Sequence, residues 1–463
     1  MAVFEHTSRI DAPAAEVFLW HTRPGALERL VPPWERVRVV AREGGVADGG
    51  RVVLEIRKGP LRIRWVARHR DYEDGREFAD EQVEGPFAAW RHVHRVLPDG
   101  GDRCVLADRV EYRLPFGTLG SLVGGRRVER MLRRVFRFRH DRVRHDLARH
   151  GTVAASGARR IAITGATGLV GGNLAAFLTT GGHRVDPLVR RPPRPGTTEI
   201  AWDPARDRID AAALEGIDAV VHLAGESIAA GRWNAARKDA IRRSRVDSTR
   251  LLCRALAGLR TRPKALVSAS AIGYYGDRGD APLTETSAAG SGFLAEVVQA
   301  WEAATAPAVE AGIRVVTPRI GMVVTAAGGA LAKMLPPARL GLGGPMGNGR
   351  QSVSWIALDD LVGAIHFLLF AEDVAGPVNA VAPRPVTNRE LAKTLGRVLG
   401  RPAVAPLPAV LVRLLFGEMG QALLLEGQHV LPARLEAAGF RFQHPALDGA
   451  LRHELGAGST DAG

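Results

Sequence analysis

Two adjacent tyrosines are the first residues in this chain that could do chemistry. Tyr274 and Tyr275 lie in SASAIGYYGDRGD, directly after a strand-like apolar run. A tyrosine hydroxyl can transfer a proton, but its pKa of about 10 in free solution must first be lowered by a neighbour. This segment contains no lysine to do so. Two interpretations follow: one tyrosine is an acid–base catalyst, or both pack in the protein or contact a substrate.

A glycine-rich turn stands between a short apolar strand and an amphipathic helix in RIAITGATGLVGGNLAAFL. Gly165, Gly168 and Gly171 have the spacing G-x-x-G-x-x-G. Glycine there lets the chain turn sharply, approach a pyrophosphate and pack the helix closely on the strand. The amide groups that begin the helix would then face the phosphates. The pattern predicts a dinucleotide-binding turn, with an ordinary tight turn as the alternative.

The residues after the next strand indicate which dinucleotide is bound. The segment VDPLVRRPPRP carries Arg190 and Arg191 at the end of the strand, whereas Asp186 comes too early to reach a ribose. A carboxylate near this strand end is typical of NAD sites, and an arginine accommodates the 2′-phosphate of NADP. We therefore predict NADP(H) as the cofactor. The alternative is that both arginines only reflect an arginine-rich composition.

The bulk properties exclude several classes of protein. The 463 residues carry a net charge of +14, and no apolar run is long enough to span a bilayer. The N-terminal residues lack the pattern of a secretion signal, so we expect a cytoplasmic protein. Cys104 and Cys253 have no zinc spacing, and His92 and His94 share a strand face without a visible third ligand, so we expect no metal site. No groove-entering motif accompanies the arginine excess, so we expect no specific nucleic-acid partner.

The order of elements predicts two different architectures. Residues 1–150 contain a strand, a helix, a meander of strands and a long basic helix, which indicates an α+β domain. Residues 151–158 are small and flexible enough to be a linker. From residue 159 to about 383, strands alternate with helices as in a doubly wound, Rossmann-like parallel sheet.

Longer segments carry family resemblances. Residues 1–150 resemble the helix-grip fold of START-like (SRPBCC) ligand-binding domains, and GPFAAWRHVHRV is similar to cyclase/dehydrase-like members. ITGATGLVGG, DAVVHLAGE, VSASAIGYYG and TPRIGMVV resemble the extended short-chain dehydrogenase/reductase superfamily. HLAGESIAAGRWNAARKDAIRRSRVDST, WEAA and GNGRQSVSWIALDDL resemble its atypical branch called the epimerase family, or NAD-dependent epimerase/dehydratase-like. Residues 384–455 resemble that branch's small helical C-terminal domain, which leaves 456–463 as a flexible tail.

These resemblances imply site residues and ligands. The first implies that an apolar small molecule binds in the N-terminal domain. The second implies cofactor contacts from Gly165, Thr167, Gly168, Leu169, Val170, Gly171, Arg190, Leu223, Ala224, Gly225, Ser268 and Pro318. Its candidates for proton transfer are Ser270, Tyr274 and Tyr275. Its candidates for substrate contact are Glu226, Arg232, Trp233 and Lys238, and Gln351 and Trp355 beside LGLGGPMGNGR are candidates for a second pocket wall.

One departure from the superfamily pattern bears directly on function. The superfamily normally uses a tyrosine with a lysine four residues later, and the best alignment puts Phe293 and Val297 at those positions. Neither side chain can move a proton. The sequence therefore favours an NADP(H)-binding oxidoreductase or epimerase-like enzyme acting on an unidentified small molecule. The alternative is a non-catalytic sensor or regulator that binds a dinucleotide in one domain and an apolar ligand in the other.

Overall fold

The computed structural model describes residues 1–458, without the side chains of Thr118, Leu119, Ser121 and Val123. Most of the predicted flexible tail, residues 459–463, lies outside the described residues. The chain folds into two compact units, one built on Met1–Ala155 and the other on Ser156–Leu178 and His183–Arg452. The limits that we assigned to the domains and to the linker stay predictions.

The N-terminal unit is a seven-stranded antiparallel sheet with one long helix and two short ones. Its elements are β1 (Ala2–Ile10), α1 (Ala14–Thr22), α2 (Ala26–Leu30), β2 (Arg36–Glu43), β3 (Arg51–Lys58), β4 (Leu61–Glu73), β5 (Glu77–Glu84), β6 (Ala89–Pro98), β7 (Cys104–Arg113) and α3 (Gly117–Gly151). The strand order is β1-β7-β6-β5-β4-β3-β2. Strands β2 to β7 therefore form a meander in which consecutive strands are neighbours, and β1 pairs with β7.

Period-two alternation explains which face of this sheet is covered. On β7, Cys104, Leu106 and Val110 are buried, while Arg109 between them is exposed. The long helix α3 contributes its own buried residues to the same cores, Leu132, Phe136, Val143 and Leu147. The helix therefore closes over one face of the sheet, as the helix-grip expectation requires.

The second unit contains the doubly wound sheet. Its elements up to residue 380 are β8 (Arg160–Thr164), α4 (Leu169–Thr180), β9 (Arg184–Val189), β10 (Ile200–Asp203), β11 (Arg208–Ile209), β12 (Ala219–His222), α5 (Ala235–Ala257), β13 (Ala265–Ser268), β14 (Ser270–Ala271), β15 (Pro282–Leu283), α6 (Phe293–Ala303), α7 (Ala306–Glu310), β16 (Arg314–Ile320), β17 (Met322–Val324), α8 (Gly329–Arg339), β18 (Ser352–Val353), β19 (Trp355–Ala357), α9 (Leu358–Phe370) and β20 (Gly376–Ala380). The parallel strands run in the order β10-β9-β8-β12-β13-β16-β20. The chain order reverses between β8 and β12, which is where such sheets bind ligands.

Apolar residues cover both faces of the parallel sheet because its strands are buried on both sides. Ile161 and Ile163 of β8 belong to the core under α4 and α9, whereas Ala162 belongs to the core under α5 and α7. All three side chains are at most 1% exposed. The sheet thus forms a rigid platform whose strand ends can position functional groups.

The remainder of the second unit is mainly helical. Its elements are β21 (Val386–Thr387), α10 (Asn388–Leu399), α11 (Ala409–Gly420), β22 (His429–Val430), α12 (Ala433–Ala437) and α13 (Leu447–Leu455). Thr387 and Glu390 form a capping box that starts α10, and Gly400 ends it with a φ of 63°. The predicted fold class is confirmed in all three of its parts. No helix among the described residues is long and apolar enough to cross a membrane.

Candidate functional site

The glycine turn has a geometry that only glycine can adopt. Gly165 has a φ of 69°, and a Cβ there would lie 3.0 Å from the backbone of Leu223. A Cβ on Gly171 would lie 2.2 Å from the carbonyl oxygen of Gly165, so a side chain would push helix α4 away from the turn. Thr167 and Gly168 are exposed at the start of α4. Their backbone is therefore open to a phosphate at a helix N-terminus.

A buried hydrogen-bond network holds the neighbouring strand end against this turn. The Thr164 hydroxyl accepts bonds from the backbone N–H groups of Leu223 and Ala224, at 3.0 and 3.1 Å. That hydroxyl also lies 2.7 Å from Nδ1 of His222, whose Nε2 is 3.0 Å from the Thr249 hydroxyl. Burial lowers the pKa of His222 to about 4, so the ring is neutral near pH 7. Our sequence reasoning missed Thr164, His222 and Thr249.

The charged residues around β9 separate into paired and unpaired groups. Asp186 is fully buried and accepts bonds from Arg160 at 2.5 Å and Arg184 at 3.1 Å, so it is not free to meet a ribose. Arg191 forms two hydrogen bonds to Glu199, at 2.5 and 2.8 Å. Arg190 is exposed one residue past β9 and forms no ion pair with the residues that the structure describes.

Ser270 and Tyr275 belong to one chain of buried polar groups. The Ser270 hydroxyl donates to Glu302 at 2.6 Å, and Glu302 holds Arg319 through two bonds of 2.8 Å. Arg319 donates to the Tyr275 hydroxyl at 3.0 Å, and that hydroxyl donates to Asn379 at 2.7 Å. Each hydroxyl therefore already has a protein partner. Glu302, which lies in the WEAA segment, Arg319 and Asn379 were not among the predicted catalytic residues.

The two tyrosines differ in environment. Tyr275 is 0% exposed, and burial raises its pKa even though Arg319 and Asn379 act in the opposite direction. Tyr274 is partly exposed, and the guanidinium of Arg319 lies 3.4 Å from the centre of its ring. Among the described residues, none hydrogen-bonds the Tyr274 hydroxyl. The structure thus leaves Tyr274 as the tyrosine with an uncommitted hydroxyl.

Phe293 and Val297, which our alignment puts at the positions of the usual tyrosine and lysine, lie on α6. Val297 is buried at 2% exposure, whereas Phe293 is partly exposed and packs on Trp233 with ring centres 5.1 Å apart. Lys238 lies 5.1 Å from the centre of the Phe293 ring and donates to Glu418 at 2.6 Å. Two of the predicted substrate residues, Trp233 and Lys238, are therefore brought together at Phe293.

A cleft of about 120 Å³ opens beside this aromatic pair. Gly273 and Gly276, on either side of the two tyrosines, form part of its wall. Its remaining polar and aromatic lining comes from Trp233, Ser291, Phe293, Glu418, Gln421, Glu426 and Gln428. The C-terminal helical part therefore supplies two carboxylates and two amides, and our sequence reasoning named none of these four residues.

The other predicted substrate residues are held by protein contacts. Glu226 pairs with Arg237 at 3.3 Å, and Arg232 donates to the carbonyl of Leu414. Gln351 donates to the carbonyls of Met346 and Leu424. Trp355 is 0% exposed and donates to the carbonyl of Arg384 at 3.0 Å, so it is a core residue.

Two predicted cofactor residues lie inside the sheet. Pro318 is buried within β16, opposite Val378 of β20. Ser268 ends β13 at 1% exposure, and its hydroxyl has no hydrogen-bond partner among the described residues. Both positions are in the carboxyl half of their strands, the side on which doubly wound sheets bind ligands.

A larger cavity, of about 220 Å³, lies at the opposite edge of the same sheet. Its charged lining residues, among them Arg159, Asp218 and Lys264, stand at the beginnings of strands. Because doubly wound sheets bind dinucleotides outside the carboxyl ends of their strands, we do not assign the cofactor to this cavity.

The N-terminal unit contains a separate buried group of histidines and aspartates. His92 lies between Asp80 and Asp108, at 3.1 and 2.9 Å. Burial would lower the pKa of His92, but the two carboxylates raise it to about 9. Burial and the neighbouring charge of His92 lower the pKa of His94 to about 4. This unit therefore contains a buried polar cluster as well as its apolar cores.

Comparisons with known proteins agree with this architecture. The model described as polyketide cyclase / dehydrase and lipid transport matches residues 10–136. The NAD dependent epimerase/dehydratase family matches residues 161–380, and a domain of unknown function, DUF1731, matches residues 407–454. These matches confirm the resemblances that the sequence motifs indicated.

Individual relatives cover either 63% or 98% of the chain. Epimerase family protein Mb2239 of Mycobacterium bovis is 44% identical over 293 residues, which is 63% of this chain and 96% of that protein. The crystal structure of a nucleoside-diphosphate sugar epimerase from Corynebacterium glutamicum has a TM-score of 0.81 at 35% identity, covering 98% of this chain and 90% of that one. Human epimerase family protein SDR39U1, solved with NADPH, has a TM-score of 0.59 at 39% identity, covering 63% and 98%.

Proposed function

The chain belongs to the epimerase family, and from that membership we propose that it binds NADP(H) and performs an oxidoreductase or epimerase-like reaction on a small molecule. The observation that carries the proposal is the glycine turn, where side chains at Gly165 and Gly171 would strike backbone atoms. Glycines at these positions are typical of dinucleotide-binding turns, where they allow the sharp turn and the close packing of the helix on the sheet. The NADPH in the human relative supports the same cofactor class.

Arg190 supports NADP(H) over NAD(H). It is exposed just past β9, whereas Arg191 is occupied by Glu199 and Asp186 by Arg160 and Arg184. A guanidinium at this strand end can bind the 2′-phosphate that distinguishes the two dinucleotides. Its charge-assisted hydrogen bonds would be worth about 1.5–3 kcal/mol, or about 10- to 150-fold in affinity.

The test compares Arg190→Ala with Arg191→Ala. Both variants remove an exposed arginine from one loop, but only the first removes the proposed phosphate contact. We expect Arg190→Ala to weaken NADPH binding about 10- to 150-fold and NADH binding little, measured by titration of the nicotinamide fluorescence. Arg191→Ala should leave the ratio of the two affinities as it is in the parent. An unchanged ratio in Arg190→Ala would refute the NADP assignment.

The cleft at Trp233 and Phe293 supports a substrate with hydroxyl groups. An aromatic face beside carboxylates and amides, here Glu418, Gln421 and Glu426, suits a sugar ring, whose faces are apolar and whose edges form hydrogen bonds. The relative from Corynebacterium glutamicum, described as a nucleoside-diphosphate sugar epimerase, supports this substrate class. We therefore propose a nucleotide-linked sugar or a similar polyhydroxylated compound as the substrate.

Proton transfer is assigned to Tyr274. When bound, the nicotinamide supplies the hydride step, and the chain must hold the substrate and move a proton. Ser270 and Tyr275 are buried and hydrogen-bonded to Glu302 and Asn379, so neither hydroxyl is free to face a substrate. Tyr274 is partly exposed, which supports it as the group that donates or accepts the proton.

A second candidate function follows from Phe293 and Val297. With no proton-transferring side chain at either position, the protein could bind a dinucleotide as a non-catalytic sensor or regulator. Two screens separate the functions: carbonyl compounds are tested for a change in NADPH absorbance, and nucleotide sugars for an epimerised product by NMR, because an epimerisation leaves the net redox state of the cofactor unchanged. Turnover that is lost in Tyr274→Phe supports the enzyme, whereas tight NADPH binding without turnover across the screen supports the sensor.

The remaining proposals concern the N-terminal unit and the compartment. We keep an apolar small molecule as the proposed ligand of this unit, on the strength of its match to the lipid-transport and cyclase family. The cytoplasm stays the proposed compartment, supported by Cys104 and Cys253, which are both buried and unbridged.

A further inference from the structure

The fold of the N-terminal unit provides the ligand that His92 and His94 lack in the sequence. Both histidines lie on the covered face of β6, and Asp80 of the adjacent strand β5 pairs directly with His92 in the sheet register. One oxygen of Asp80 lies 3.1 Å from Nδ1 of His92 and 3.9 Å from Nε2 of His94. Three donor atoms from two neighbouring strands therefore converge on one point.

The spacing of these atoms matches a metal coordination shell. Zinc binds imidazole nitrogen and carboxylate oxygen at about 2.0–2.2 Å, so a tetrahedral site places its ligand atoms roughly 3.3–3.6 Å apart. The two measured distances to the Asp80 oxygen, 3.1 and 3.9 Å, lie on either side of that range. The ligand atoms of Asp80, His92 and His94 all lie within 4.8 Å of one another. Small side-chain rotations would bring them to metal-bonding distance.

Asp108 of β7 orients both imidazoles from the opposite side. One of its oxygens lies 2.9 Å from Nε2 of His92 and 2.7 Å from Nδ1 of His94. The contact to His94 is close, although His94 Nδ1 forms no hydrogen bond there. The other oxygen lies 2.5 Å from Nε2 of His140 on α3. A carboxylate behind the ligating histidines fixes their orientation and leaves their other nitrogens to face the metal, as in most protein metal sites.

The surroundings leave one direction of access. His92, Asp108 and His140 are at most 4% exposed, whereas the side chain of Asp80 is 17% exposed and that of His94 is 11% exposed. Trp90 donates to the second oxygen of Asp80 at 3.3 Å, which turns the first oxygen towards the histidines. The ligand set is thus held on its inner side and open beside Asp80.

We propose that Asp80, His92 and His94 bind a divalent transition-metal ion inside the N-terminal unit, with Asp108 as the residue that positions the two histidines. Two imidazoles and one carboxylate are a common ligand set for zinc and for iron(II). Magnesium and calcium fit poorly, because they prefer oxygen ligands throughout. Three protein ligands leave a coordination position for water or for an oxygen atom of a small molecule bound in this unit.

The test uses the full chain, freed of metal with a chelator and titrated with Co(II), which reports its coordination by visible absorption. We expect the parent to bind Co(II) with visible absorption bands, and these bands should disappear when Zn(II) displaces the Co(II). Asp80→Asn and His94→Gln should each weaken this site at least tenfold, and Asp108→Asn should weaken it about 10- to 100-fold. His429→Gln is the control, because this histidine lies on β22 of the second unit, whereas the proposed ligands lie on β5 and β6 of the first, so it should leave binding unchanged.

Two further measurements keep the result interpretable. Calorimetric unfolding without metal shows whether each variant is folded, and X-ray absorption of the metal-loaded parent reports whether two imidazoles surround the ion without needing any variant. The proposal is overturned if the parent shows no such Co(II) spectrum, or if Asp80→Asn and His94→Gln bind Co(II) as the parent does. A purely hydrogen-bonded histidine–aspartate cluster would give the first of these results.

Discussion

Replacing Tyr275 with phenylalanine tests whether this tyrosine is structural. The substitution keeps the ring and removes the hydroxyl that accepts from Arg319 and donates to Asn379. Asn379 is 0% exposed and Arg319 is 3% exposed, so both would lose a hydrogen bond that water does not readily replace. Leaving a buried polar group without its partner costs about 1–3 kcal/mol. We expect the free energy of unfolding to fall by that amount, measured by urea denaturation of the full chain.

Tyr274→Phe is the matched control, because it removes the neighbouring hydroxyl from a partly exposed position. The ring can stay beneath the guanidinium of Arg319, so the free energy of unfolding should change by no more than about 0.5 kcal/mol. If Tyr274 transfers the proton, the same variant should lose about 10²- to 10⁴-fold in turnover of the substrate found by screening. Our distinction between the two tyrosines would be refuted if Tyr275→Phe kept the stability of the parent and lost turnover.

Two further predictions concern the cofactor edge. Gly171→Ala would place a methyl group 2.2 Å from the carbonyl oxygen of Gly165. We therefore expect titration to show a loss of NADPH binding, and denaturation to show a free energy of unfolding lower by about 1–3 kcal/mol. Binding equal to that of the parent would contradict the close-packed turn. The depressed pKa of His222, about 4 against 6.5 in an unfolded chain, means that the unfolded state takes up this proton first as the pH falls. The free energy of unfolding should therefore fall by about 3 kcal/mol between pH 6.5 and pH 4, at about 1.4 kcal/mol per pKa unit. His222→Gln should flatten that part of the profile of stability against pH. Parallel profiles for the parent and the variant would contradict this role of His222.

The fold could be predicted from the sequence because local and long-range signals agreed. The apolar strand RIAIT, the glycine turn and the helix after it each indicate the same unit, and the alternation continues to residue 380. Period two along β7 likewise separated the exposed Arg109 from the buried residues on either side of it. These signals are local, so a single sequence reveals them.

The candidate site was predictable only in part, because its side chains come from distant parts of the chain. Gly165 directly follows β8 and Arg190 directly follows β9, so local spacing alone could predict them as cofactor contacts. Glu302 bonds Ser270 across 32 residues of sequence, and Asn379 bonds Tyr275 across 104 residues, so no spacing rule could pair them. The same limit hid Asp80, whose relation to His92 depends on the register of two antiparallel strands.

The pair of Arg319 and Glu302 explains why Tyr275 cannot replace the missing tyrosine–lysine pair. A lysine beside a phenol would favour the ionised form by its positive charge, and Arg319 offers a cation 3.0 Å from the Tyr275 hydroxyl. Burial nevertheless raises the pKa of Tyr275, and Glu302 neutralises the guanidinium through two short bonds. The cation therefore holds Tyr275 in place without activating it. The proton transfer that we propose would then use a group outside the buried chain, and of the two tyrosines only Tyr274 lies outside it.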